Sequence, residues 1–512
     1  MRLLCRSSVF FLLGLSIGAA VRADVLPNQV LVVYNSQAFT ATTLKNYYLA
    51  AHPGIPAANV LDLNDTTWAN EFSYADFITH VRNPIRNYFS LPGSPSPSQI
   101  IAICLIRPFP HRVMDPDDGD DGDVPYFLYE DAIAGDANNA SLDAELVLLW
   151  QDLDAGEANG LMDSYSDNMI VNPYHKLSSP IQTYSRANIT IPKVFTNAQD
   201  ICWLLGGSGP TQLTPGDMYL VCRIDGSSLA DAEAEIDRAK NLIVNKAAVK
   251  VLLDEPDFNC DNSDDDGLFS NDSSDPFWGG DDYELTRDTL VTAGWNVHYD
   301  NAYNFISSSE ETAPLIGYAS YGENDGPSCG ESESYGYIQG YHFAAGAMFN
   351  TIESYNARDL NGIGGLFNQE QISDFIASGG TFGVGNVYEP FSFTVPDNAF
   401  LMPNMLVNGL TFAEAAYTSL PALSWQQVAV GDPLAKMTII NDPGLPRGDM
   451  NGDGHADGRD IVWFIDVVLN GPAHYRATFP TLDPLFRGDF TGDYKVTVDD
   501  LPGFINALLT AP

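Results

Sequence analysis

The sequence predicts an α/β fold with two parallel-sheet units, helices on both sheet faces, and a small all-α module at the end. Three observations lead to this prediction. Short apolar runs alternate with helix-period segments through residues 24–441, the pattern of parallel strands covered on both faces. A turn-rich stretch, "NDPGLP" at 441–446, ends the alternation. After it, residues 447–512 hold two copies of an acidic loop followed by an apolar helical segment.

The first unit is predicted to span residues 24–247. It begins with the apolar run "QVLVVYN" (29–35), followed by a helix through "TLKNYYLAAH". Later strands are expected at "NVLDLN" (59–64), "QIIAICLI" (99–106) and "DMYLVCRI" (217–224), and a long helix at "LADAEAEIDRAKNLIVNKA" (229–247).

The second unit, residues 248–441, repeats this alternation, with a helix at "ELTRDTLVTAG". Its strands are expected at "AVKVLLD" (248–254), "APLIGYASYG" (313–322), "GAMFNTIESY" (346–355) and "GTFGVGNVYE" (380–389). Two acidic inserts, 114–125 and 257–282, lack calcium-loop spacing and are predicted to be surface loops. Residues 442–446 are expected to link this unit to the C-terminal module.

The first 23 residues predict a secretory signal peptide. They have an Arg-bearing start, an apolar stretch from about Val9 to Ala20, and small residues before Asp24. We therefore expect an exported protein, extracellular or associated with the cell surface. No later apolar run is long enough to span a membrane. The net charge of −43 argues against nucleic acid as a partner.

The cysteines and histidines predict neither a disulfide framework nor a zinc site. Five cysteines follow the signal peptide, and they are widely spaced, with no CxxC pair. The eight histidines are scattered and form no HExxH motif. The sequence leaves the pairing of these cysteines open: Cys104, Cys202, Cys222, Cys260 and Cys329.

The stretch "RGDMNGDGHADGRDI", starting at Arg447, predicts a calcium-binding loop. Counted from Asp449, side-chain oxygens fall at positions 1, 3, 5, 9 and 12, and a glycine occupies position 6. This is EF-hand spacing, in which position 7 contributes a backbone carbonyl. The expected ligands of this first loop are Asp449, Asn451, Asp453, His455, Asp457 and Asp460. Asp460 stands where an EF-hand has glutamate, so the last ligand reaches less far.

A second copy, "RGDFTGDYKVTVDD", follows 40 residues later and predicts a second, weaker calcium site. Thr491 replaces the amide at position 3, Tyr494 replaces the glycine, and a threonine occupies position 9. The expected ligands of this second loop are Asp489, Thr491, Asp493, Lys495 (through its carbonyl), Thr497 and Asp500. The Arg-Gly-Asp of the first copy is not an adhesion motif in this interpretation, because its Asp is the first ligand.

Two such loops, each followed by one helix, resemble the type I dockerin domain over residues 447–512. The resemblance implies that calcium folds the module and that the module docks onto a cohesin-bearing partner. We expect a chelator to unfold it, since the loop carboxylates repel one another without metal.

Two strand ends in the second unit resemble the caspase-like fold of gingipain-type cysteine peptidases. Tyr321-Gly322 falls where that family has His-Gly, and Ser354, 33 residues later, falls where it has the nucleophilic cysteine; "GDPL" at 431–434 resembles the end of the fold. A cysteine peptidase needs a thiolate and a basic imidazole. With tyrosine and serine in those places, thiol peptidase chemistry is not expected.

The core also resembles a secreted bacterial family of unknown function across most of residues 29–434. The similarity runs through "LVVYNS", "SLDAELVLLW", "NPYHK", "YLVCRIDG", "GYASYGENDG", "GNVYEPF", "FAEAAY" and "WQQVAVGDPL". This resemblance implies no activity.

Other catalytic arrangements stay open at this point. Ser354 beside Glu353 is a candidate serine nucleophile, and Glu389 a candidate acid or ligand-binding group. Cys329 with His342, and Asp143 with Glu145 as a glycosidase pair, are further alternatives. The sequence thus leaves two classes of function: a non-catalytic peptidase-like core displayed by a calcium-dependent docking tail, or an extracellular hydrolase of polysaccharide or protein in a surface-associated degradation complex.

Overall fold

Ten strands form a single sheet that joins both predicted α/β units. The structure, a computed structural model, describes residues 24–114, 139–150, 170–187, 189, 213–255, 282–302, 305–321, 337–358, 360, 371–388, 390 and 394–510. Its strands are β1 (Val30–Tyr34), β2 (Val60–Asp62), β3 (Glu71–Ser73), β4 (Ala102–Ile106), β5 (Arg112–Met114), β6 (Asn139–Ser141), β7 (Ile170–Val171), β8 (Leu220–Ile224), β9 (Ile243–Asn245), β10 (Lys250–Asp254), β11 (Val297–Asp300), β12 (Leu315–Ser320), β13 (Phe343–Thr351), β14 (Phe382–Asn386), β15 (Ala422–Leu423), β16 (Gln427–Val430) and β17 (Thr438–Ile440).

The large sheet has the order β11-β10-β12-β13-β14-β16-β8-β4-β1-β2. Parallel pairing dominates it, and the pairing of β14 with β16 is antiparallel. The predicted parallel α/β fold is confirmed. The expected boundary at 247/248 does not separate two sheets, because strands from both sides of it lie in this one sheet. Smaller sheets pair β3-β5-β6, β7 with β15, and β9 with β17.

Helices cover both faces of the sheet. Successive residues of β10 alternate between two apolar clusters: Val251 and Leu253 in one, Leu252 in the other. Because strand side chains alternate between faces, each face has its own packed layer. The core helices are Ala41–Ala51, Tyr74–Asp76, Asn83–Tyr88, Leu142–Val147, Leu229–Ala239, Tyr283–Thr292, Gln371–Ala377, Asn398–Leu406 and Phe412–Ser419, with a π-helical segment at Phe77–Arg82.

The helix predicted over 229–247 is shorter than expected. It begins at a Ser228 cap, whose hydroxyl accepts a hydrogen bond from the Asp231 N–H, and ends at Ala239. Lys240 is extended and Asn241 has φ of 52°, a left-handed conformation that asparagine tolerates better than most residues. The chain then enters β9, so the last part of the predicted helix is a strand.

The C-terminal module, residues 447–510 of the described chain, is built from helices that follow its two acidic loops. Its helices are Ile461–Asn470, Pro472–Thr478, Pro484–Gly488 and Leu501–Thr510. A separate apolar cluster including Phe464, Val467, Tyr475 and Phe504 forms its core. We call this module the C-terminal repeat. Among the described residues, no helix combines the length and apolar character needed to cross a membrane.

Candidate functional site

The two acidic loops share one backbone hydrogen-bond pattern at a shift of 40 residues. In the first loop, the Asp449 carboxylate accepts the N–H of Gly452 at 2.8 Å and of Gly454 at 2.9 Å. In the second, Asp489 accepts the N–H groups three and five residues later at 2.6 and 2.8 Å. The first predicted ligand of each loop is therefore wrapped by its own loop, as its spacing requires.

The last predicted ligand closes each loop in the same way. Asp460 accepts the N–H of Asn451 at 2.9 Å and of Asp457 at 2.8 Å. Asp500 accepts the N–H of Thr491 and of Thr497, both at 2.8 Å. Both closing carboxylates are fully buried. Each loop thus points two buried carboxylates inward from opposite ends.

In the first loop an arginine forms ion pairs with the other two predicted carboxylate ligands. The Arg459 guanidinium lies 2.9 Å from Asp453 and 2.7 Å from Asp457. Its hydrogen bonds lower the pKa of Asp457 to about 2. Burial raises the pKa of Asp460, although the hydrogen bonds from the backbone N–H groups of Asp457 and Asn451 act to lower it. The Asn451 side chain accepts the N–H of Asp453, and His455 donates its N–H to the Asp453 carboxylate. A metal ion bound by Asp453 and Asp457 would therefore compete with Arg459 for their oxygens.

In the second loop three carboxylates converge without a basic partner. One oxygen each of Asp489, Asp493 and Asp500 lies within 4.8 Å of the others, and no described Lys, Arg or His pairs with them. The Thr491 hydroxyl lies 3.1 Å from Asp493 and 2.9 Å from Asp500. Burial acts to raise the pKa of Asp500, but backbone and Thr491 donors lower it overall.

The rest of the second loop follows the predicted roles. Lys495 has an exposed side chain and donates its N–H to Asp493, so position 7 has only its carbonyl to offer. Thr497 at position 9 caps the following turn, since its hydroxyl accepts from the N–H of Asp499. Tyr494 holds the left-handed φ of 61° that glycine has in the first loop. The oxygen set of both loops, hard and mostly anionic, is the chemistry that calcium prefers. Which loop is the stronger site stays a prediction.

The strand-end residues of the core lie on neighbouring strands but have different surroundings. Ser320 and Thr351 are paired in register on β12 and β13, which places Tyr321 and Ser354 at the same end of these strands. Tyr321 is buried, with its ring edge-on to Phe305 at 5.6 Å. Its side chain packs within an aromatic cluster. Glu389 and Gly322 lie outside the described residues.

Ser354 is half-buried and follows the fully buried Glu353. The Tyr337 hydroxyl donates to the Glu353 carboxylate at 3.3 Å. The next residue, Tyr355, has φ of 60°, which costs a non-glycine residue of order 1 kcal/mol or more. Strained backbone of this kind clusters at functional sites. The sequence "ESYN" contains no glycine, so it gives no sign of the left-handed conformation.

The other candidates have structural partners. Asp143 is fully buried and binds the Arg223 guanidinium, and Glu145 accepts the Ser424 hydroxyl. The His342 ring lies against Tyr494, and Cys329 is outside the described residues. Cys104 and Cys222 are buried free thiols in register on β4 and β8. Cys202, Cys260 and Cys329 lie outside the described residues.

The geometry defines an α/β protein with a parallel-dominated sheet and a C-terminal repeat of two acidic loops. No family model matches the chain, and no curated protein matches it. A solved structure described as "Structure of Protease" is similar at a TM-score of 0.33 and 9% identity, over 80% of this chain and 78% of that chain. A similarity this low carries no argument about fold or chemistry.

Proposed function

We propose that this is a secreted calcium-binding protein whose C-terminal repeat docks onto a cohesin-type partner and displays a non-catalytic, peptidase-like α/β core. The convergence of Asp489, Asp493 and Asp500 carries the proposal. Three carboxylates held together with no described basic partner repel one another, and a divalent cation bound by their oxygens removes that repulsion. The same hydrogen-bond pattern in the first loop supports a second site.

Exposed apolar side chains on two helices form the proposed docking surface. They occupy equivalent positions of the repeat and are equally exposed: Ile461 and Leu501 at 44% and 42%, Ile465 and Ile505 at 46% and 45%, Leu469 and Leu509 at 75% and 79%. Apolar residues that recur at one helix face and stay in solvent favour a partner surface. The duplication gives the repeat two similar faces for that partner.

The calcium arm is tested by calorimetric titration of the full mature chain. We expect two calcium ions per chain, falling to one in Asp500→Asn. Asp499→Asn is the matched control, an exposed neighbour outside the predicted ligand set, and should keep two. A wild-type chain that binds no calcium, or an Asp500→Asn chain that still binds two, would falsify the calcium arm.

The docking arm is tested with a purified type I cohesin domain. Calcium-dependent binding is expected for the wild type and should be lost in the double variant Leu469→Asp/Leu509→Asp. Leu91→Asp, which charges a similarly exposed leucine of the core, should bind normally. Equal binding by all three proteins would rule out these faces.

A second candidate function, extracellular hydrolysis, is favoured by the strained residue Tyr355 directly after Ser354 and the buried Glu353. The calcium-loaded chain is incubated with denatured proteins and with common polysaccharides, beside Ser354→Ala. Products that disappear in the variant would establish a serine-dependent hydrolase. Products that survive it would move the site elsewhere, and an absence of products from both proteins supports the non-catalytic core.

A further inference from the structure

The C-terminal repeat is fastened to the core by a buried polar junction. The Asn245 side-chain amide, at the end of β9, donates to the Asp442 carbonyl at 3.0 Å and to the Asp483 carboxylate at 3.1 Å. Its oxygen accepts the Asp442 N–H at 2.9 Å. The Asp483 N–H in turn donates to the Asp442 carboxylate at 2.7 Å. All three side chains are buried. The predicted linker therefore begins inside a fixed contact between core and repeat.

Arg487 extends this junction to the calcium loops. Its guanidinium donates to both Asp442 carboxylate oxygens at 2.7 Å and to the backbone carbonyl of Asp449 at 2.6 Å. The Gly448 N–H donates back to the Arg487 carbonyl at 3.0 Å. One buried arginine therefore joins the core junction to the first ligand position of the first loop. It also lies two residues before Asp489, which opens the second loop.

The repeat loses its internal symmetry where it meets the core. Arg447 is the equivalent of Arg487, 40 residues earlier, but it is exposed and its guanidinium lies over the Phe490 ring at 4.7 Å. Tyr494, in the second loop, faces His342 of the core with ring centroids 5.3 Å apart. Its equivalent in the first loop is Gly454, where a side chain would have no described neighbour within 4 Å of its Cβ.

A cavity of about 550 Å³ lies between the core and the C-terminal repeat, next to this junction. Asp489, Gly492 and Tyr494 of the second loop form part of its wall, and Phe343 and Val249 belong to the core side. The conformation of the second loop thus shapes the contact with the core, just as the first loop positions the carbonyl that Arg487 binds.

We propose that calcium binding to the loops and docking of the repeat on the core are thermodynamically linked. This inference rests on the proposed calcium function. Calcium fixes the loop backbones, and fixed loops present the Asp449 carbonyl to Arg487 and the Tyr494 ring to His342. Linkage is reciprocal, so weakening the junction lowers calcium affinity by at most the factor by which calcium strengthens docking.

The test measures calcium affinity of the full chain by calorimetry in Asn245→Ala. Asn245 contacts no predicted ligand, and we expect affinity to fall by about five-fold or more. Asn59→Ala is the matched control: Asn59 is also buried, and its amide donates to two backbone carbonyls, of Asn28 and Val30. It should bind calcium as the wild type does. His342→Ala, at an exposed position, serves if Asn245→Ala does not fold, and should also weaken binding.

Limited proteolysis at 441–446 gives a second readout. Calcium should slow cleavage in the wild type and slow it less in the junction variants. Wild-type chain that binds no calcium overturns the proposed function itself. A second outcome would overturn the linkage alone. In that outcome the wild type binds calcium, the junction variants bind it with the same affinity as the wild type and Asn59→Ala, and calcium does not change the rate of cleavage.

Discussion

The rings of Phe464 and Phe504 stack face to face, with centroids 4.1 Å apart and planes 10° from parallel. The two residues are 40 positions apart, at equivalent places in the two halves of the C-terminal repeat. Both are buried. Each half therefore completes the apolar core of the other, and neither half buries its helix alone.

Replacing Phe464 with alanine should destabilise the repeat by about 3–5 kcal/mol, the usual cost of removing a buried aromatic ring. Hydrogen exchange of the calcium-loaded chain measures this, and protection should fall in both helices, Ile461–Asn470 and Leu501–Thr510. Leu469→Ala, at an exposed position, should change stability by about 0.5 kcal/mol or less. Unchanged protection of the second helix in Phe464→Ala would show that the halves fold independently.

Replacing Arg459 with glutamine should strengthen calcium binding at the first loop by about 3- to 10-fold. The two ion pairs of Arg459 are exposed and therefore weak, but they no longer have to be broken. A positive charge also leaves the neighbourhood of the metal. Calorimetric titration reads the change. The equivalent position in the second loop is Asp499, so that loop has no arginine at this place. Affinity unaltered by Arg459→Gln would mean that the guanidinium does not compete with the metal.

Replacing Asp143 with alanine should destabilise the core by about 3–5 kcal/mol, because it leaves the buried Arg223 guanidinium without its main counter-charge. Chemical denaturation monitored by tryptophan fluorescence is the measurement. Asp288→Ala removes the exposed partner of Arg287 and should cost about 1 kcal/mol or less. An Asp143→Ala chain of wild-type stability that lost a hydrolytic activity would restore Asp143 as a catalytic candidate.

Acid should weaken the core through Glu71. His111, 3.6 Å away, and Arg112 lower the pKa of Glu71 from 4.5 to about 2. A carboxyl group with a lowered folded-state pKa stabilises the fold above pH 4.5, and that stability is lost as the pH falls toward 2. Melting temperatures measured from pH 5 to pH 2 should therefore fall less steeply in Glu71→Gln than in the wild type. Glu233→Gln, on the helix Leu229–Ala239, should keep the wild-type slope. Identical slopes in the wild type, Glu71→Gln and Glu233→Gln would show that the contacts of Glu71 with His111 and Arg112 are not a source of the acid sensitivity.

Periodicity in the sequence predicts the buried strands and their helices well, because the spacing of apolar residues within an element depends on which of its faces is buried. The run from 99 to 106 contains β4, and the run from 217 to 224 contains β8, both fully buried. What periodicity lacks is the identity of each strand's neighbours. The placement of β16 between β14 and β8 depends on contacts between residues more than 200 positions apart, so the pattern along the chain suggests two sheets where the fold has one.

The candidate calcium site can also be predicted from the sequence only in part. Ligand spacing predicts which oxygens each acidic loop can offer, since the ligands lie within 12 positions. It does not predict that Arg459 binds two of them, because side-chain direction is set in three dimensions. The junction of Asn245, Asp442 and Arg487 leaves no signal in the sequence. Its members are ordinary polar residues far apart along the chain, and only tertiary packing makes them one group.

The short pair of β9 and β17 has a mechanical consequence. These strands run parallel over three residue pairs, from Thr438 opposite Ile243 to Ile440 opposite Asn245, and β17 is the last strand before the repeat. Beside the polar junction of Asn245, Asp442 and Arg487, a load that pulls on the chain just after β17 acts along the axis of that strand. Its hydrogen bonds to β9 lie across that axis and are strained together in shear, not opened one at a time. Tension along the chain at this point therefore loads the hydrogen bonds between β9 and β17 together.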